Sequence, residues 1–353
     1  MTSPQRRDRR FFASDNAAGV HPTLLEAIHR ANTGHALAYG HDEWTAAATA
    51  RIREMFKTDA EVLFVFGGTG ANVVGLRTTV DSYQSVLCPE SSHLWRDECA
   101  APERFLGCKI VPIPTADGKL RPDDVSPHLP AEEDIHHAQP GAISVSQSTE
   151  WGAVYQPDEL RALASVAHRH GMWLHVDGAR LANAAVALDV SLGTFGPELG
   201  IDVMTLGGTK LGMLAGEAVV IFNDALKQRA GYFQKQGTQL ISKMRFVAAQ
   251  FEALLTGDMW RTLASQANQM AELLGAELDS IEGVTLARTI RTNMVYARFP
   301  PNALASIQEA GGPFHCPTPD PNVGRLVTAW DTQPSDVATF VAVVKEFVGR
   351  PRG

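Results

Sequence analysis

Two chargeable residues, Asp177 and Lys210, each follow a short apolar run, 172–176 before the first and 203–206 just ahead of the second. In an open α/β sheet the ligand crevice lies outside the ends of such strands, which makes the carboxylate and the amine candidates for one site. Gly178, Ala179 and Arg180 follow the aspartate, and Gly207, Gly208 and Gly212 surround the lysine, so a flat group can approach the backbone closely. Either residue alone reads as turn chemistry or as a solvated side chain; the constellation of both is what points to a site.

Pyridoxal 5'-phosphate (PLP) matches this pair. Its aldehyde needs a lysine amine for a Schiff base, the role open to Lys210. Its ring nitrogen needs an acidic partner to stay protonated as an electron sink, the role open to Asp177. The phosphate has its own candidate. Residues 62–66 read as a buried strand that runs into Gly67-Gly68-Thr69-Gly70-Ala71-Asn72 and then a helical stretch. Free N–H groups at a helix start, with the Thr69 hydroxyl, would face an anion. The turn lacks the P-loop lysine and the GxGxxG spacing, which disfavours a nucleotide.

The elements that would position these groups follow from periodicity. Helical spacing from Pro22 and over 43–57 frames a loop-like stretch, 34–40, that contains Tyr39. Strand-like runs at 85–88, 109–112, 142–146, 172–176, 203–206 and 218–222 alternate with helical ones. The clearest helix spans 157–170, with Pro157 at its start and Asp158 and Glu159 in its first turn. This alternation predicts a mostly parallel sheet with helices on both faces. Beyond Asn223 the pattern changes to long helices at 240–255 and 259–278, short strands at 284–287, 294–299 and 325–330, and a closing helix at 335–348. The expected organisation is an N-terminal arm over 1–20, a large domain over 21–256 and a small α+β domain over 257–353. The residues up to about Arg10 are expected to be disordered.

With 353 residues the chain can bury a large core, and its 44% hydrophobic and 20% charged residues are those of an ordinary globular protein. A formal charge of -8 leaves no electrostatic footprint for nucleic acid or an anionic membrane. The basic start, Arg6-Arg7 and Arg9-Arg10, lacks the apolar core of a secretory signal, and no run of about eighteen apolar residues occurs. Cys88, Cys99, Cys108 and Cys316 show neither CxxC spacing nor the density of a disulfide framework. A soluble protein in a reducing cytoplasm is expected, with no metal site.

Taken with His93, these motifs make the chain similar to the L-threonine aldolase family of fold type I PLP enzymes, closest to its low-specificity bacterial branch. The resemblance runs from Ala13-Ser14-Asp15-Asn16 to Trp330-Asp331-Thr332. It includes Ala38-Tyr39-Gly40, Asp97-Glu98-Cys99, Val154-Tyr155, Gly207-Gly208-Thr209-Lys210 and Ser242-Lys243-Met244-Arg245-Phe246. It implies an aspartate-aminotransferase-like large domain and retro-aldol cleavage of an L-β-hydroxy-α-amino acid to glycine and an aldehyde. It also implies a homodimer or homotetramer.

Carried over by residue, the resemblance makes Lys210 the Schiff-base lysine and Asp177 the partner of the ring nitrogen. Gly68 and Thr69 hold the phosphate, and His93 stacks on the ring and is a candidate for taking the β-hydroxyl proton. Arg180 and Arg325, with Ser14, receive the substrate carboxylate, for which a guanidinium fork suits two oxygens. Tyr39 and Arg245 are expected near the site. In two places the chain departs from the family pattern. Where another branch has a histidine in a Glu-Asn-Thr-His run, this chain reads Ser146-Gln147-Ser148-Thr149-Glu150, so Thr149 or Glu150 is expected in that neighbourhood. The phosphate turn reads Gly67-Gly68-Thr69-Gly70 where the branch commonly has Asn-Gly-Thr-Ala. Other PLP reactions, β-elimination, racemisation or transamination, share Lys210 and Asp177 and remain open, as does a non-catalytic α/β protein.

Overall fold

A computed structural model describes residues 10–129 and 134–349; the segment expected to be disordered, up to about Arg10, lies almost wholly outside the described residues. The chain forms two compact units, one from Val20 to Trp260 and the other from Arg261 onward together with the segment before Val20.

The larger unit starts with two capped helices. In α1 (Pro22–Ala31) proline sits in the first turn and His21 Nδ1 accepts the Thr23 N–H at 3.2 Å. In α2 (Glu43–Phe56) the Asp42 carboxylate accepts the Thr45 N–H at 2.8 Å, and Lys57 closes the helix in the left-handed region at φ 51°. Seven strands then form one sheet: β1 (Glu61–Val65), β2 (Gln84–Pro89), β3 (Lys109–Ile113), β4 (Gln139–Ser146), β5 (Trp173–Gly178), β6 (Val203–Gly207) and β7 (Glu217–Ile221), in the order β1-β7-β6-β5-β4-β2-β3. From β6 to β3 neighbouring strands are parallel, whereas β7 runs antiparallel to both β6 and β1. The inner parallel strands β2, β4, β5 and β6 are buried almost continuously rather than at alternate residues, because the sheet is covered on both faces. Helix α3 (Gly68–Thr79), which follows β1, and the helix Pro157–Arg169 help to cover it, the latter burying Leu160, Leu163, Ala164 and Ala167 at helical spacing.

Register brings the chemistry to one edge. Ser146, Asp177 and Thr205 lie side by side on β4, β5 and β6, and Gly207, Glu217 and Val65 do so on β6, β7 and β1. The carboxyl ends of the parallel strands therefore share an edge with the start of β7.

The smaller unit has a three-stranded antiparallel sheet of β8 (Thr285–Leu286), β9 (Met294–Arg298) and β10 (Val323–Val327), in the order β10-β9-β8. The segment before Val20 is tied into it. The Val327 N–H donates to the Phe12 carbonyl at 2.9 Å, and the Phe12 ring meets Phe340 edge-on at 5.2 Å.

Two expected spans change at an end, and one helix was not expected. The helix expected over 240–255 begins only at Arg245, because Thr238 takes a left-handed φ of 60° and the Ser242 carbonyl is used by the Tyr39 N–H at 3.0 Å. The last strand ends at Val327 rather than 330, since the Thr328 hydroxyl turns to the Ala267 carbonyl and the Ala329 N–H to Thr332. A short helix, Leu181–Ala187, lies between β5 and β6 where the periodicity had marked nothing. No helix among the described residues is long and apolar enough to cross a membrane.

Candidate active site

Asp177 closes β5 and is buried. Its Oδ1 accepts the Ala179 N–H at 2.9 Å and its Oδ2 accepts Asn72 Nδ2–H at 2.8 Å. Burial alone would neutralise this carboxyl. The Asn72 hydrogen bond, the charge of Lys210, the Ala179 N–H and the charge of His93 outweigh burial and hold it below the usual carboxylate range. The outcome is a buried anion kept charged, which is what a ring nitrogen that must stay protonated requires.

Lys210 follows β6 in a single 3-10 turn, Thr209–Leu211. The hairpin that carries it is pinned at both ends. Glu217 Oε2 accepts the Gly208 N–H at 2.8 Å, the Thr209 hydroxyl accepts the Gly216 N–H at 3.1 Å, and the His21 N–H donates to the Gly212 carbonyl at 2.9 Å. Gly207 is a steric requirement, because a Cβ there would lie 2.5 Å from the Ala179 carbonyl oxygen. Burial pushes the Glu217 carboxyl up to about 7, against the charge of Lys210 and hydrogen bonds from Thr209 and Gly208.

Helix α3 starts at the glycine turn with Gly67 as its cap residue, and no side chain caps it. A Cβ added at Gly67 or Gly68 would meet nothing within 4 Å. The start of α3 therefore has open space beside Gly67 and Gly68 that suits an anion at the first-turn N–H groups. Gly70 differs, because the Gln239 side chain occupies the position its Cβ would take, and Gln239 Oε1 accepts the Phe66 N–H at 3.1 Å.

His93 opens the short helix α4 (His93–Arg96) and is half-buried. Its Nδ1 lies 2.9 Å from Glu98 Oε1. That hydrogen bond raises the imidazole pKa; burial and Lys210 oppose the rise, and the charges of Asp177 and Glu98 add to it. Its backbone N–H donates to Glu150 Oε1 at 2.8 Å, and the Ser146 hydroxyl donates to the same oxygen at 2.5 Å. Glu150 thus stands beside His93, whereas Thr149 turns to the Asp117 carbonyl.

The donor set fits PLP: an ionised buried carboxylate, an amine on a pinned turn, an uncapped helix start over open space, and a half-buried imidazole. The comparisons agree. Residues 12–300 match the beta-eliminating lyase family. The chain is 39% identical, over 95% of its length and 96% of the relative's, to the low specificity L-threonine aldolase of Pseudomonas sp. strain NCIMB 10558. A solved structure of Leishmania major threonine aldolase superposes with a TM-score of 0.88 at 32% identity, covering 96% of this chain and 99% of that one. The chain belongs to the L-threonine aldolase family. A Thermus thermophilus aspartate aminotransferase mutant, 17% identical with a TM-score of 0.71 over 98% of this chain and 99% of its own, places the aldolase chain in the aminotransferase-like fold.

The remaining expected residues of this aldolase lie as follows. Arg180 is the cap residue of the helix Leu181–Ala187, three positions after Asp177. Arg245 donates to the carbonyls of Thr33 and Gly34, both at 3.4 Å, and Tyr39 lies under the Lys235 ammonium at 5.2 Å with left-handed φ 61°. Among the described residues neither bonds to the group around Asp177. Ser14 and Arg325 belong to the smaller unit. There the Ser14 hydroxyl accepts the Asn16 N–H at 3.1 Å, and Arg325 lies on β10 with its Nε buried and without a hydrogen-bond partner among the described residues. Sequence reasoning missed the roles of Asn72, Glu98 and Glu217. One signal was available for the first: Asn72 is the lone amide in an otherwise small and apolar stretch, Ala71 to Leu76, that is buried all round.

Proposed function

We propose that this aldolase cleaves L-threonine, L-allo-threonine or a related L-β-hydroxy-α-amino acid between Cα and Cβ, giving glycine and an aldehyde with PLP as cofactor. The observation that carries this reading is Asp177, a buried carboxylate held in its charged form beside Lys210 and His93. When bound, PLP supplies an electron sink for the pair released from the Cα–Cβ bond. Residues 21–256 form the cofactor-binding domain. In it the N–H groups of Gly68 and Thr69 and the Thr69 hydroxyl would hold the phosphate, and Asp177 would keep a proton on the ring nitrogen. Lys210 Nζ would supply the amine that anchors the aldehyde. His93 would help to hold the ring and would take the β-hydroxyl proton at a ring nitrogen. Arg180 presents a guanidinium to the substrate carboxylate. Arg245 and Tyr39 support the rim.

The protein acts in the cytoplasm as a homodimer or homotetramer. Support for association comes from the large apolar side chains left in water on the larger unit: Leu37 at 71% exposure, Phe66 at 66% and Tyr232 at 74%. Support for the compartment comes from the cysteines, all four of which are free. The deciding assay is product identity. Glycine plus an aldehyde in equal amounts supports the reading. A keto acid plus ammonia would replace it with β-elimination, and neither product from a protein that carries the cofactor would refute it.

A further inference from the structure

A chain of buried polar groups joins Asp177 to His93. Asn72, 1% exposed in α3, has its amide fully used. Its Nδ2 donates to Asp177 Oδ2 and to Glu98 Oε1, each at 2.8 Å, and its Oδ1 accepts the Thr205 hydroxyl at 3.1 Å. The opposite amide orientation would aim a carbonyl oxygen at two carboxylates, so the network itself fixes the orientation. Glu98 Oε1 therefore accepts from Asn72 on one side and faces His93 Nδ1 at 2.9 Å on the other. The Glu98 side chain is fully buried, and its Oε2 has no hydrogen-bond partner among the described residues. An acceptor at Oε1 requires the proton at Nδ1, which leaves Nε2 as the bare nitrogen of the neutral ring.

We infer that Glu98, held in place by Asn72, is the positioning residue that makes His93 a proton acceptor through Nε2. This rests on the reading above, in which His93 takes the β-hydroxyl proton. In that step the hydroxyl proton moves to Nε2, the ring becomes an imidazolium with both nitrogens protonated, and the Glu98 carboxylate faces the new positive charge. No proton needs to pass to Glu98. Because one Asn72 amide touches both carboxylates, the ring-nitrogen partner and the proton acceptor are held in register by a single side chain. The charged groups around His93 are Glu98, Asp177 and Lys210, with Glu150 on its backbone N–H. Of these, Glu98 faces the ring at Nδ1, 2.9 Å away.

The test reads the imidazole itself. Protein labelled with nitrogen-15 in histidine, with His93 assigned by its loss in His93→Asn, should show the neutral ring protonated at Nδ1 in the wild type. In Glu98→Gln the His93 midpoint should fall by about one pH unit or more. The acidic limb of kcat in the holoenzyme should move to lower pH by the same amount, with KM little changed, and Glu98→Asp should restore part of the shift. A wild-type neutral ring protonated at Nε2 would overturn the inference, and so would a Glu98→Gln midpoint and limb that stay in place. The wild-type tautomer decides even if the variant fails to fold. Failure of the aldolase reading would appear separately, as wild-type enzyme that makes no glycine.

Discussion

Replacing Glu217 by glutamine should stabilise the cofactor-free protein above neutral pH. Glu217 is buried at the start of β7, and burial moves its carboxyl from 4.5 up to about 7. A native state that binds a proton more tightly than the unfolded chain is favoured in acid. The associated stability is complete below pH 4.5 and drains away as pH rises to about 7. Each pKa unit corresponds to about 1.4 kcal/mol, so the rise from 4.5 to about 7 leaves the ionised native state about 3–4 kcal/mol poorer. Glutamine has the same shape and still offers an oxygen to the Gly208 N–H, but it cannot ionise. Thermal unfolding of the wild type and Glu217→Gln should therefore nearly coincide near pH 4.5 and separate above pH 7. At the higher pH the variant should melt at least about 6 °C later, given about 2 °C per kcal/mol for a domain of this size. Melting curves for the two proteins that run parallel from pH 5 to 8.5 would refute the argument that burial dominates at this carboxyl.

Three further outcomes are expected. Gly207→Ala should destabilise the protein by about 1–3 kcal/mol in urea unfolding, because the new methyl meets the Ala179 backbone at 2.5 Å and backbone cannot swing aside. His93→Asn should lower kcat for cleavage by about a hundredfold or more, and an unchanged rate would remove His93 from proton transfer. His175, fully buried with Nδ1 2.9 Å from the Ser144 hydroxyl, has its pKa pushed down by burial to about 4, so its nitrogen resonances should not titrate above about pH 5. Its share of stability is present above pH 6.5 and lost as pH falls towards about 4, a window of acid destabilisation that His175→Asn should abolish.

How far the sequence could be read depended on the range of the interaction involved. Asp177 and Lys210 stood out because each ends an apolar run, a local signal that survives in one dimension. The glycine turn before α3 was visible for the same reason. Glu98 and Asn72 were not. The Asn72–Asp177 bond spans 105 positions and the Asn72–Glu98 bond 26, and no periodicity records a side chain that reaches across the fold. Glu217 was hidden by its setting, as one carboxylate at the head of the apolar run of β7, where it reads as the polar end of a strand. The expected helix over 240–255 failed at its start because propensity knows nothing of the Tyr39 N–H that claims the Ser242 carbonyl.

The antiparallel return of β7 has a consequence for how this enzyme could be altered. The lysine rides on a tether of nine residues, 208–216, flanked by Gly207 and Glu217, which are register partners in the same sheet. The proposed attachment point for the coenzyme is therefore fixed by strand pairing and by the Glu217–Gly208 and Thr209–Gly216 hydrogen bonds. Loop changes that admit a bulkier aldehyde can be introduced one at a time, and none of them should displace the anchor.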